Sequence, residues 1–169
     1  LFNDSIESKK SLVTGNCLEV QSTHNLFKTQ AFKEGWFEIQ DLSSQLAAGA
    51  LNVKPSQIVL DVCCGNGGKS LYFSSAMKNT GKIYSLDIFQ HKIVELKKRA
   101  ARSGASNIEP IVFDFKTDKV PSSLKNNDVV FIDAPCSGTG VWHRNPDGKW
   151  KMNEEKLTAL IEEQKAILD

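Results

Sequence analysis

The stretch Ile58-Val-Leu-Asp-Val-Cys-Cys-Gly-Asn-Gly-Gly-Lys69 decides the fold. A short apolar run breaks into a glycine-rich turn and then, through Leu71, Phe73 and Met77, into helical spacing. A strand that ends in such a turn and opens a helix is the first unit of a parallel α/β sheet. Gly65, Gly67 and Gly68 let the backbone turn tightly and approach a ligand closely. The start of the following helix offers unpaired N–H donors, which suit a carboxylate.

Working downstream, strand and helix signals alternate. Lys82–Asp87 reads as a second strand, and Ile108–Phe113 as a third that starts after Pro110. Asp128–Asp133 reads as a fourth. Between the second and third, Ile93, Leu96 and Ala100 mark a helix closed by Gly104. After the fourth, Asn153 caps a helix with Leu157, Leu160, Ile161, Gln164 and Leu168 on one face. Continuous apolar runs are what strands buried on both faces require, so a parallel sheet with helices on both sides is expected.

Upstream, Asp41 is placed to cap a helix through Leu42, Leu46, Ala50 and Leu51 that ends near Asn52, ahead of Pro55. Cys17–Gln21 and Trp36–Gln40 alternate like short strands. Residues 1–35 read as a connector from an upstream region, and residues 36–169 as the domain proper. The chain opens on Leu1 without a Met, so a piece of a longer protein is expected.

The 169 residues are enough for one core, and 40% hydrophobic with 24% charged is ordinary for a globular domain. A net charge of +1 does not announce a nucleic-acid binder, so such contacts must be local. No apolar run approaches membrane-spanning length, and no signal pattern opens the chain. Cys17, Cys63, Cys64 and Cys136 have neither disulfide-framework nor zinc spacing. A cytoplasmic, monomeric protein with reduced thiols and no metal is expected.

The acids at the strand ends point to a cofactor. Asp87 stands where a carboxylate accepts from both ribose hydroxyls, and Asp114 where one accepts from an adenine amino group. The helix start after Gly67 suits the carboxylate of S-adenosylmethionine. A nicotinamide dinucleotide is the alternative, although the order here is Gly-x-Gly-Gly rather than Gly-x-Gly-x-x-Gly. Purely structural roles for the acids are the other.

The fourth strand runs into Asp133-Ala-Pro-Cys-Ser-Gly-Thr-Gly140, which sets a thiol beside a carboxylate on a glycine-containing loop. A buried structural cysteine is the competing reading of Cys136. With Asp61–Lys69, Phe37-Glu-Ile-Gln-Asp41, Arg144-Asn-Pro-Asp-Gly-Lys-Trp150 and Gln164-Lys-Ala-Ile-Leu168, this motif resembles the RsmB/Nop2/Sun family of RNA 5-methylcytosine methyltransferases, from about Gly35 to the end.

The resemblance implies a Rossmann-like class I S-adenosylmethionine-dependent methyltransferase core, truncated after strand four and its following helix. It implies that Cys63, Cys64, Gly65, Asn66, Gly67, Gly68 and Lys69 wrap the methionine part of the cofactor. Asp87 would hold the ribose, Asp114 the adenine, and Asp133 would lie near the cofactor's amino group and the target base. Cys136 would assist release of the methylated RNA. Asn66 departs from the family's usual Pro or Ala, and Cys64 and Gly65 replace a more frequent small pair. These positions act mainly through backbone, so binding is expected to survive.

In that family the attacking cysteine lies in a Thr-Cys pair on the next strand. The sequence contains no Thr-Cys pair, so the nucleophile is expected beyond Asp169 and this piece alone is expected to be inactive and marginally stable. A thiolate adding to carbon 6 of cytosine makes carbon 5 able to attack the sulfonium methyl, and an acid near N3, here Asp133 if protonated, would stabilise the adduct. Cys136 as nucleophile, as in DNA cytosine-5 methyltransferases, is the mechanistic rival.

His143, Arg144, Lys149 and Trp150 mix cations with an aromatic after this loop and are the RNA-binding candidates. Lys92, Lys97, Lys98, Arg99 and Arg102 share a helix and read as a solvated face. Ribosomal RNA is expected ahead of transfer RNA. A non-catalytic cofactor- or RNA-binding remnant is a second reading. Methylation of an exocyclic amine is a third, which would favour an aromatic after Pro-Pro.

Overall fold

A computed structural model describes residues 6–12, 17–21 and 25–168. The expectations attached to Leu1 and Asp169 fall outside them. A small antiparallel pair, β1 (Ser8–Lys10) with β2 (Leu18–Val20), precedes a short helix α1 (Gln30–Lys33). Then come α2 (Leu42–Gly49), β3 (Ile58–Val62), α3 (Gly68–Ala76), β4 (Lys82–Asp87), α4 (Gln90–Ser103), β5 (Ile108–Val112), β6 (Val129–Ile132), α5 (Asp147–Lys151) and α6 (Glu154–Leu168).

The main sheet has order β5-β4-β3-β6, with every neighbouring pair parallel. The chain starts in the middle, winds outward to β5, then crosses back to the other side of β3. That reversal puts a topological switch point at the carboxyl ends of β3 and β6, where open α/β sheets bind ligands.

Alternation along the strands sorts the core into two faces. Val59, Ile83, Ile108, Val129 and Phe131 turn toward Ala48 of α2 and Phe73 and Met77 of the α3 region. Ile93 and Leu96 of α4 pack with Cys64 and Ile108 beside them. Leu60, Val62, Leu86 and Phe113 turn the other way, onto Leu124 and Ile167 of α6. Helices therefore lie on both faces, but the second is thinly covered. Val130 is 51% exposed there, and α6 leaves Leu157, Ile161 and Leu168 exposed.

Local signals explain the ends. Asp41 Oδ1 accepts from Ser43 N–H at 3.0 Å and starts α2; Asn153 Oδ1 accepts from Lys156 N–H at 2.9 Å and starts α6. At the end of α4, Gly104 (φ +70°) lets Ala105 N–H return to the Ala100 carbonyl at 2.9 Å.

Three expectations are corrected. The helix after Asp41 stops at Gly49, and the chain turns through Asn52 in the left-handed region. The strand at Ile108 runs through Pro110 rather than starting after it. Asn107 accepts from Ile83 N–H and Phe113 N–H donates to Asp87, so odd-numbered residues face β4 and Pro110 turns its missing donor to the open edge. Trp36–Gln40 is not a strand. Among the described residues no strand pairs with it; it crosses α4 as a strap, with Glu38 turned inward and Trp36 79% exposed.

Candidate cofactor and nucleic-acid site

The turn after β3 is built from left-handed residues: Cys63 (φ +60°), Gly65 (φ +57°) and Gly67 (φ +80°). Cys64 N–H donates to the Leu86 carbonyl at 2.8 Å, carrying the β3–β4 pairing past the strand end. Gly67 N–H then closes back on the Cys64 carbonyl at 2.9 Å. A Cβ on Gly67 would overlap the buried Leu96 side chain, so this position needs glycine for space as well as for φ. A Cβ on Gly65 would meet nothing within 4 Å, so the turn faces open space on that side. Gly67 caps α3 with no side-chain bond. Among the described residues no side chain caps the first-turn amides of this nine-residue helix.

The acids expected at the strand ends lie side by side along the sheet. Asp87 accepts from Gly65 N–H and Phe89 N–H, both at 2.9 Å, and its Oδ2 is 3.4 Å from the Lys92 ammonium. It is buried, and it ties the end of β4 to the glycine turn. Phe113 N–H bonds the Asp87 carbonyl at 3.1 Å, which brings Asp114 alongside. Asp114 Oδ1 accepts from Lys116 N–H at 2.9 Å, while Asp118 holds the Asp114 N–H. Among the described residues no hydrogen bond engages Asp114 Oδ2. Asp133, half exposed at the end of β6, meets Lys69 from the first turn of α3 at 2.7 Å.

Lys69 and Asn66 turn to opposite sides of the turn. The Lys69 ammonium pairs with Asp133 of this row. Asn66 turns to the α4 side, where its carbonyl accepts from Arg99 at 2.8 Å. There it lines a cleft of about 420 Å³ with Phe27, Phe32, Glu38 and Arg102. The basic helix face is corrected too: Arg99 and Arg102 both pair with Glu38 of the strap, and Lys92 pairs with Asp87.

One site residue was not anticipated. Asp61 is fully buried on β3, beneath the glycine turn. Ser70 Oγ donates to its Oδ2 at 2.5 Å, and Ser85 Oγ donates to Ser70 at 2.9 Å. Asp61 Oδ1 has no partner among the described residues. Burial pushes its carboxyl up to about 7, against the pull of Ser70 and the Lys69 charge. The signal was a carboxylate inside the apolar run Ile58–Val62.

The cysteines separate by environment. Burial pushes the Cys63 thiol up to about 11, and the Cys64 thiol up further. Both are therefore thiols at neutral pH and unsuited to attack. Cys136 is exposed on the loop after β6. His143, Arg144, Lys149 and Trp150 follow on the surface. Arg144 pairs with Asp41 at 2.9 Å, Lys149 lies 5.6 Å from the Trp150 ring centroid, and Trp150 is 82% exposed. Among the described residues no cluster of His, Cys, Asp and Glu suits a metal, and no helix is long and apolar enough to cross a membrane.

Comparison with known proteins gives concordant matches. Residues 48–169 match the family model described as 16S rRNA methyltransferase RsmB/F. The probable ribosomal RNA small subunit methyltransferase B of Bacillus subtilis is 39% identical over 142 residues, 83% of this chain and 31% of that protein. The human 28S rRNA (cytosine(4447)-C(5))-methyltransferase is 32% identical over 83% of this chain and 17% of its own length. Among solved structures, that of the protein PH0851 superposes with a TM-score of 0.88 at 29% identity, covering 99% of this chain and 38% of the other. The chain thus spans between 17% and 39% of the length of the curated relatives it matches.

Proposed function

From the premise that this chain belongs to the RsmB/F family of 16S rRNA methyltransferases, we propose that it is the cofactor-binding part of an S-adenosylmethionine-dependent RNA (cytosine-5)-methyltransferase acting on ribosomal RNA. The observation that carries the reading is the single row formed by the glycine turn, Asp87, Asp114 and Asp133 at the carboxyl ends of four neighbouring parallel strands.

The chain's residues fit the cofactor. The uncapped amides of α3 and the open side of Gly65 receive the methionine carboxylate, with Cys63 to Lys69 as its wall. Asp87 and Asp114 take the ribose and the adenine amino group. When bound, the cofactor supplies an electrophilic methyl on a positive sulfur. Asp133 stands beside the glycine turn and is open to solvent, so it is positioned to meet both the cofactor's amino group and a base entering from outside. Lys69 fixes its carboxylate at the mouth of the site. Cys136, three residues on, assists release of the product, while the attacking thiolate comes from a Thr-Cys pair that these 169 residues do not contain. His143, Arg144, Lys149 and Trp150 hold unpaired RNA, because a base must leave its stack to reach the methyl group.

Calorimetric titration with S-adenosylmethionine tests the cofactor assignment. Asp87→Ala weakens binding about tenfold or more, the loss expected for a charge-assisted acceptor; unchanged affinity overturns the assignment. A 5-fluorocytosine RNA trap on the full-length protein tests the chemistry. Cys136→Ala retains the covalent adduct, and loss of the adduct makes Cys136 the nucleophile. Trp150→Ala weakens RNA binding and leaves S-adenosylmethionine affinity unchanged.

A further inference from the structure

The strap between α1 and α2 is held by contacts that converge on the cofactor turn. Gly35 (φ +77°) lies so close to the end of α4 that a Cβ would overlap the Arg102 carbonyl. Arg102 stacks over the Phe32 ring at 3.8 Å and pairs with Glu38 Oε1. Glu38 Oε2 accepts from Arg99 Nη2 at 3.0 Å. The other arm of the same guanidinium, Nη1, donates to the Asn66 carbonyl at 2.8 Å. All three charged side chains are about four-fifths buried. Farther along, the Gln40 amide lies against Gly68 at the start of α3.

The chemistry of the turn gives this arrangement a purpose. The Asn66–Gly67 peptide ends on the left-handed Gly67, whose backbone tolerates the change of φ that a peptide flip requires. A flipped peptide would turn the Asn66 carbonyl oxygen toward the helix start and set a partial negative charge against the ligand carboxylate. Arg99 holds that oxygen on the α4 side. Its planar fork binds an acceptor on each arm, so Glu38 fixes the guanidinium while the guanidinium fixes the turn.

We propose that Glu38 and Arg99 are positioning residues for the methionine end of the cofactor, acting through the Asn66 carbonyl, so that the strap is a working part of the site. The proposal rests on the cofactor reading above and extends it to two residues remote from the ligand.

The test compares two ligands on the full-length protein: S-adenosylmethionine, and 5′-methylthioadenosine, which keeps the adenosine end and lacks the methionine carboxylate. Arg99→Ala weakens S-adenosylmethionine about tenfold, as loss of a charged hydrogen bond should, and leaves methylthioadenosine affinity within about twofold. Glu38→Gln gives a smaller loss of the same selectivity, and adding it to Arg99→Ala causes little further loss, because both act through one chain of contacts. Arg99→Lys, which keeps a charged donor but not the fork, recovers part of the affinity. Equal weakening of both ligands would reduce Arg99 to a general structural residue, and unchanged S-adenosylmethionine affinity would remove its role; either overturns the proposal. Asp87→Ala, run beside them, weakens both ligands. If it weakens neither, the cofactor reading itself has failed, an outcome distinct from failure of the strap. Should Arg99→Ala fold poorly, Glu38→Gln decides by the same ligand comparison.

Discussion

The two faces of the sheet are built from similar residues and end up in different states. On the first, α2, α3 and α4 bury Val59, Ile83, Phe73 and Met77 completely. On the second, α6 reaches the sheet through Ile167, and Val130 and Ile132 of β6 stay partly in water. The same alternation of side chains produces both, so what differs is the cover and not the strands. The glycine turn and Asp87 belong to the well-covered side, and this explains why a short segment can hold a left-handed turn at the candidate site. Dense packing beneath the turn sustains the backbone conformation above it.

That contrast can be broken most severely from the first face. Phe73→Ala leaves a cavity between β3 and α2 and costs about 3–5 kcal/mol in a urea melt. Gly67→Ala comes next. It places a Cβ into Leu96 at a left-handed φ, costs about 1–3 kcal/mol, and abolishes S-adenosylmethionine binding in calorimetry. A third change alters slope more than height. Because the folded Asp61 carboxyl is raised to about 7, its proton stabilises the fold at low pH, and that contribution is lost as pH rises from about 4 through about 7. Asp61→Asn keeps the acceptor for Ser70, and stability measured across this range becomes flatter than in the wild type. The smallest effect is on the second face: Val130→Ser changes the melt by no more than about 0.5 kcal/mol, as for other exposed positions. A loss as large as that of Phe73→Ala would show that β6 is as well packed as β3, and the contrast between the faces would disappear.

The four parallel strands were legible because Ile58–Val62 and Val129–Ile132 stand out as largely apolar runs of strand length. The site was legible for a related reason: its acids end those runs. Asp61 escaped notice because it lies inside a run, where only the folded arrangement of Ser70 and Ser85 accounts for it. The strap misled more deeply. The alternation in Trp36–Gln40 looked like a strand with one buried face, yet its inward side is the charged Glu38, drawn by two arginines more than 60 residues away in sequence. For the same reason Arg99 and Arg102 looked like solvent-facing charges. No local pattern encodes a partner that distant.

Pro110 has a consequence beyond its own strand. An amide that cannot donate, set on the outer rim of β5, makes that rim a poor template for another backbone, whereas the rim of β6 carries an uninterrupted Val-Val-Phe-Ile with no charge to repel a visitor. The sheet is therefore more readily extended at the β6 rim than at the β5 rim. The same asymmetry that would guide a correct addition makes the β6 rim the place where two copies would first stick together.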